Sequence, residues 1–246
     1  MVSRFVGDLT AGMPLPRLTD YRTGDESELD MLTNFLWNIQ LCTALNPSLQ
    51  GLEIGLRNSI HRAATLQYGT ARWFDEPGVL LPLQREMIRA AQDDIIAWRK
   101  LTDAHALTAD DVLPAPTLGF WASLLNRPYE LPNPDMPQRL CWHDARGNPT
   151  ALFKEAFPHA PRAFQSRRRI WATLAPLVRL RNRVRRNERI SQCPDLPAYH
   201  RDILRLTGFV NPELRAMIVL CDDFPTTYFG GRAGIELRIR NYLNLL

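Results

Sequence analysis

At 246 residues, 45% of them hydrophobic and 23% charged, the chain is long enough to bury a full core and too apolar for an intrinsically disordered protein. Four widely spaced cysteines, Cys42, Cys141, Cys193 and Cys221, exclude a C-x-x-C zinc knuckle and a disulfide framework, and no stretch approaches the roughly 20 apolar residues of a membrane span. Net charge is only +4, but Lys100 and Lys154 are the only lysines, so 28 of the 30 basic residues are arginine and their placement matters more than their sum.

Residues 1–24 contain Gly12, Pro14, Pro16 and Gly24 and are expected to form an extended arm. The opening MVSRFVGDLTAGMPLPRL lacks the apolar run of a signal peptide, so a cytoplasmic location is expected. Ser27 with Asp30 predicts a capped helix to about Leu45, its period carried by Leu29, Leu32, Leu36 and Ile39. Asn46-Pro47 should stop that helix and start another, with Leu49, Leu52, Leu56, Ile60 and Ala63 on one stripe and an end near Gly69. A third helix is predicted from about Leu83 to Leu101, and Thr108 with Asp111 marks another start. Leu118 opens an apolar helix to about Leu125. Four prolines between Pro128 and Pro137 then form a loop that no regular element can cross.

Asn148-Pro149 is expected to cap a short helix ending near Phe157, before a long central helix in Pro161–Ile190 that Pro176 should kink or divide. Asp195–Leu206, Asn211–Cys221 and a segment following Gly230-Gly231 through Leu246 complete the pattern. No strand alternation or hairpin signal competes with it. The expected architecture is a single all-α domain over residues 25–246.

The central stretch carries the densest charge. Arg162, Arg167, Arg168, Arg169, Arg179, Arg181, Arg183, Arg185, Arg186 and Arg189 meet a single acid, Glu188. Such a field suits a polyanion, and the planar guanidinium fork suits phosphate, so nucleic acid is expected ahead of a merely solvated helix face, with Arg167, Arg168, Arg179, Arg183, Arg185 and Arg189 as its contacts. On a helical wheel Leu174, Leu177 and Val184 fall within about 40° of Ile170, and Arg181 falls inside the same stripe. A guanidinium there is either an ion-pair partner or a site residue. Earlier in the chain, Glu53, Arg57 and His61 form one row at a spacing of four, with Asn58 beside them. Alone, that row reads as an exposed ion pair with a surface histidine. Scattered histidines and cysteines predict no metal, and no cofactor is expected.

Three segments carry a resemblance: LEIGLRNSIHRAATLQYGTARWF, LGFWASLL and LVRLRNRVRRNERI. In this order they resemble the Abi-like (abortive infection, AbiD and AbiF type) proteins, whose late motif reads R-N-R-x-x-H-H-E-x-I, over about residues 25–205. The resemblance implies an HEPN-like helical bundle with additional helices. It further implies a usually dimeric, metal-independent endoribonuclease toxin of antiphage defence, with an RNA or protein antitoxin as a further partner and no membrane. Arg181, Asn182, Glu188 and Ile190 match the motif. Its two histidine positions hold Arg186 and Asn187. The implied catalytic set is therefore Arg181, Asn182, Arg186, Asn187 and Glu188, with Glu53, Arg57, Asn58 and His61 as auxiliary residues.

Arginine stays protonated and asparagine does not titrate, so phosphate binding should survive where proton transfer should not. The alternative is a non-catalytic RNA-binding or protein-interaction module on the same scaffold. Arg181 and position 186 lie about 140° apart on an ideal helix, which calls for a bend or a composite site across a homodimer.

Overall fold

The computed structural model describes residues 2–12, 18–101 and 107–244. These are all-α: eleven helices and no β-strand among the described residues, with one isolated antiparallel bridge between His143 and Pro149. In chain order the helices are α1 Val2–Leu9, α2 Glu28–Tyr68, α3 Pro82–Arg99, α4 Ala109–Val112, α5 Leu118–Ser123, α6 Ala151–Ala156, α7 Arg167–Arg185, α8 Leu196–Val210, α9 Pro212–Val219, α10 Phe224–Gly230 and α11 Ala233–Asn244. Among the described residues, no helix is long and apolar enough to cross a membrane.

Local chemistry sets most of the boundaries. Before α2 the Ser27 hydroxyl donates to the Asp30 carboxylate at 2.7 Å, and the Asp30 amide donates back to Ser27 Oγ at 3.2 Å. The Ser27 donors hold the Asp30 carboxyl below its usual range. Thr108 and Asp111 form a full capping box at α4, and the Thr108 donors bring Asp111 down to about 2. At α6 the cap is Thr150, whose hydroxyl accepts from the Phe153 amide. The expected Asn148-Pro149 cap is displaced because Asn148 is bound into a turn by the Asp144 carboxylate.

One expectation fails at a proline: residues 28–68 form one helix through Pro47. At Pro176, where a kink or a division was expected, α7 is not divided. A proline inside a helix costs about 3 kcal/mol. Around Pro47, however, Leu41, Leu45, Leu49 and Leu52 are all buried, as are Ile170, Leu174, Leu177 and Leu180 around Pro176. At about 1.5–3 kcal/mol per buried aliphatic side chain, keeping each apolar row in register outweighs the lost backbone bond.

The chain groups into two compact units. The first comprises Met1–Leu49, Arg179–Arg201 and Val219–Leu246; the second comprises Gln50–Val178 and Asp202–Ile218. The first unit is built on Val6, Leu18, Tyr21, Met31, Leu32, Ile235, Ile239 and Leu243, with Val2, Phe5 and Leu9 packed against them. The expected extended arm is thus helical over Val2–Leu9, because Val2, Phe5, Val6 and Leu9 make an apolar stripe of helical period. Pro14 and Pro16 lie outside the described residues.

The second unit buries Trp73, Phe74, Phe120, Trp121, Tyr129, Trp142 and Phe153 completely. Its proline-rich loop is pinned at one end: the Trp142 amide donates to Tyr129 O, and the Trp142 indole donates to Leu124 O at 2.6 Å. Helices α2 and α9 meet at Gly51, where a Cβ would lie 1.6 Å from Ile218 Cδ1.

Candidate nucleic-acid interface

Helix α7 has two faces. Ile170, Leu174, Leu177, Leu180 and Val184 are buried, while Arg168, Arg169, Arg179, Asn182 and Arg185 are exposed. The apolar stripe anchors the helix, and its remaining surface presents guanidinium groups to water. Arg181, inside the stripe, is half-buried, consistent with a side chain that lies at the edge of the core.

Arg167 is not part of that surface. Only 4% exposed, its guanidinium donates to Leu125 O at 2.7 Å and to Glu130 Oε2 at 3.0 Å. The expected RNA contact is instead a buried ion pair that ties the start of α7 to the loop before it. Sequence could not reveal this, because Glu130 lies 37 positions away.

The end of the motif is a helix stop. The Asn187 amide donates to Val184 O at 3.0 Å, the Glu188 amide donates to Arg183 O at 2.9 Å, and Asn187 sits at φ 50°. This is the Schellman arrangement, with asparagine at the left-handed residue. Position 186 is the last residue on the helical path, its amide still donating to Asn182 O at 3.2 Å, and the chain turns off at Asn187. Arg186 is exposed, with its Nη1 3.6 Å from Glu188 Oε1; Arg183 Nε lies 3.6 Å from Glu188 Oε2. Glu188 is thus shared by two arginines.

A residue outside the motif holds this turn. Asn38, fully buried on α2, accepts from the Ile190 amide at 2.7 Å and the Ser191 amide at 3.1 Å. Its own amide donates to Glu188 O and to the Tyr21 hydroxyl, both at 3.1 Å, and Tyr21 in turn donates to Asn187 O. Arg189 crosses the Tyr21 ring at 5.5 Å and binds Asp20 O and the Thr23 hydroxyl. Arg189 therefore fastens the N-terminal segment, and Arg183, bonded to Arg189 O, braces the turn. The sequence offered for this latch only an asparagine in a leucine-rich helix, and its burial came from the fold.

The earlier row resolves differently. Arg57 donates to Asn58 Oδ1 at 3.2 Å, and His61 Nδ1 accepts from the Trp73 indole at 3.0 Å. That bond assigns the His61 proton to Nε2. Burial lowers the His61 pKa against the opposing charge of Asp110, so the ring is a neutral acceptor for a buried indole and not a surface histidine. Glu53 is half-buried.

No family model, curated protein or solved structure matches the chain.

The other described histidines have partners or surroundings of their own. His200 Nε2 lies 2.7 Å from Asp222 Oδ2 and the ring stacks on Phe224. His143 is buried, and burial lowers its pKa despite Glu130. His159 opens onto a cleft of about 470 Å³ beside the Arg62–Glu155 pair. His105 lies outside the described residues. Among the described residues, no group of three or more His, Cys, Asp or Glu side chains is placed to hold a metal ion. The four cysteines are free thiols, and burial pushes Cys42 up to about 11.

What the arrangement can do follows from its groups. An exposed row of guanidiniums can neutralise phosphates. The turn that ends the row contains no side chain able to take and return a proton near neutrality.

Proposed function

We propose that this protein binds RNA through the arginine face of α7, on a scaffold of the Abi-like kind, and that its motif turn holds phosphate without cleaving the chain. The supporting observation is the exposure of Arg168, Arg169, Arg179, Arg185 and Arg186, with Glu188 the one acid of the stretch. A cationic row of this kind gains affinity by releasing counterions from the nucleic acid. The Schellman turn at Asn187 accounts for that residue without a catalytic role. Phage-triggered growth arrest, a homodimer and an RNA or protein antitoxin are the context that the resemblance implies.

The test is fluorescence anisotropy of labelled RNA against the full chain between about 50 and 200 mM salt, in EDTA. Affinity should fall steeply with salt, by about 0.7 in the logarithmic slope for each phosphate neutralised on a single strand. Replacing Arg179 and Arg185 together by glutamine should lower that slope, and the RNA should remain intact. Absent or salt-insensitive binding would remove the reading. Metal-independent cleavage by the unaltered chain would replace it with the nuclease.

A further inference from the structure

The second unit holds an open cavity of about 730 Å³, where the start of α3, the turn at residues 126–129 and the first two turns of α7 come together. Pro82, Gln84, Asn126, Arg127, Tyr129 and Trp171 line it. Several of these groups are already committed. The Tyr129 hydroxyl accepts from the Leu81 amide at 2.9 Å and donates to Gln84 Oε1 at 3.1 Å, while Gln84 Nε2 donates to Ser123. Arg167, also in the lining, is spent on Leu125 O and Glu130. These contacts make a rigid floor and wall. The groups left to meet a ligand are the half-buried indole of Trp171, the Asn126 side-chain carboxamide and the exposed Arg127 guanidinium.

The neighbouring helix turn breaks a local rule. Arg167, Arg168 and Arg169 occupy the first turn of α7, with no acid there, although the helix dipole disfavours cations at an N-terminus. Arg167 is compensated by Glu130; Arg168 and Arg169 stand exposed. Arg168 and Trp171 are three residues apart and therefore neighbours on the helix surface. An aromatic wall inside a cavity of ligand size, flanked by exposed arginines, is the pairing used to hold unpaired nucleotides: rings stack on bases and cations track phosphates.

We infer that this cavity takes one base of single-stranded RNA, stacked on Trp171, with the adjoining phosphates on Arg127 and Arg168. The inference rests on the RNA-binding reading and deepens it, because it makes the protein selective for unpaired strands. A duplex cannot offer a base to the cavity without breaking a pair.

The experiment compares a short single-stranded RNA with a duplex of the same sequence by anisotropy on the full chain. Trp171→Ala should weaken single-strand binding about 5- to 150-fold and leave the salt slope unchanged, since stacking and not charge is removed. Trp171→Leu, which keeps apolar volume in the helix without a planar face, should do the same, and Trp171→Phe should retain most of the affinity. Arg127→Gln should lower the logarithmic salt slope by about 0.7. If the unaltered chain binds RNA and the Ala and Leu variants match it, or if both weaken single strand and duplex equally, the inference falls and the RNA reading stands. If the unaltered chain binds neither RNA, both fall.

Discussion

Removing the Arg167 guanidinium should destabilise the fold far more than removing its neighbour's. In Arg167→Met the side chain keeps apolar length but loses two charge-assisted bonds, to Leu125 O at 2.7 Å and to Glu130 at 3.0 Å. Breaking a buried pair from one side costs about 3–5 kcal/mol. Glu130 is about one-third exposed and can recover water, which favours the lower end of that range. The expected loss is about 3 kcal/mol, or about 6–12 °C in melting temperature for a chain of this size. Arg168→Met, one residue along and exposed, should change stability by less than about 0.5 kcal/mol. Urea unfolding of both variants, with Glu130→Gln completing a double-mutant cycle, reads the difference directly. An unchanged urea midpoint for Arg167→Met, or equal losses for the two arginines, would refute the burial argument and return Arg167 to the RNA-binding face.

Asn187→Ala should cost about 1–2 kcal/mol in urea unfolding and Asn187→Gly nearly nothing, because only the left-handed backbone at φ 50° is at stake; equal losses would disprove the helix-stop role. Gly51→Ala should cost about 1–3 kcal/mol from overpacking against Ile218, and Ile218→Ala in the same chain should recover part of it. Arg186→His with Asn187→His restores the two titratable groups that the motif lacks, and histidine tolerates the left-handed position. On the Abi-like reading it should create metal-independent cleavage leaving 2′,3′-cyclic phosphate ends, about 100- to 10,000-fold above the unaltered chain; a folded, RNA-bound and inert variant would leave binding as the whole activity. Burial lowers the His143 pKa, so the unfolded chain binds more protons once pH drops below about 6.5. Its contribution is present above that pH and lost as pH falls, and His143→Asn should flatten the decline in urea midpoint between about pH 7 and 5.

The helical class, the capping boxes at Ser27 and Thr108, the buried stripe of α7 and, apart from a 3-10 turn at Arg127–Tyr129, the proline loop from Pro128 to Pro137 were legible in the sequence. Each rests on neighbours within one or two turns, where period and side-chain chemistry act locally. The uninterrupted run through Pro47 was not legible, because a local penalty of about 3 kcal/mol is outweighed by leucines whose burial only the packed chain decides. Helix α1 was obscured by the prolines and glycines that follow it, although its stripe was written in Val2, Phe5, Val6 and Leu9.

For the candidate site, the sequence by itself determined that residues 161–190 hold a field of arginines with Glu188 as the one acid and no histidine. Tertiary structure decided which arginines serve that field. Arg168, Arg169, Arg179, Arg185 and Arg186 face water; Arg167 is spent on Glu130, Arg183 on its own turn and Arg189 on residues 20–23. The physical reason is that a guanidinium is equally at home on a phosphate, a carboxylate or a carbonyl. Which one it meets depends on partners such as Asn38, Tyr21 and Glu130, brought from distant positions by folding.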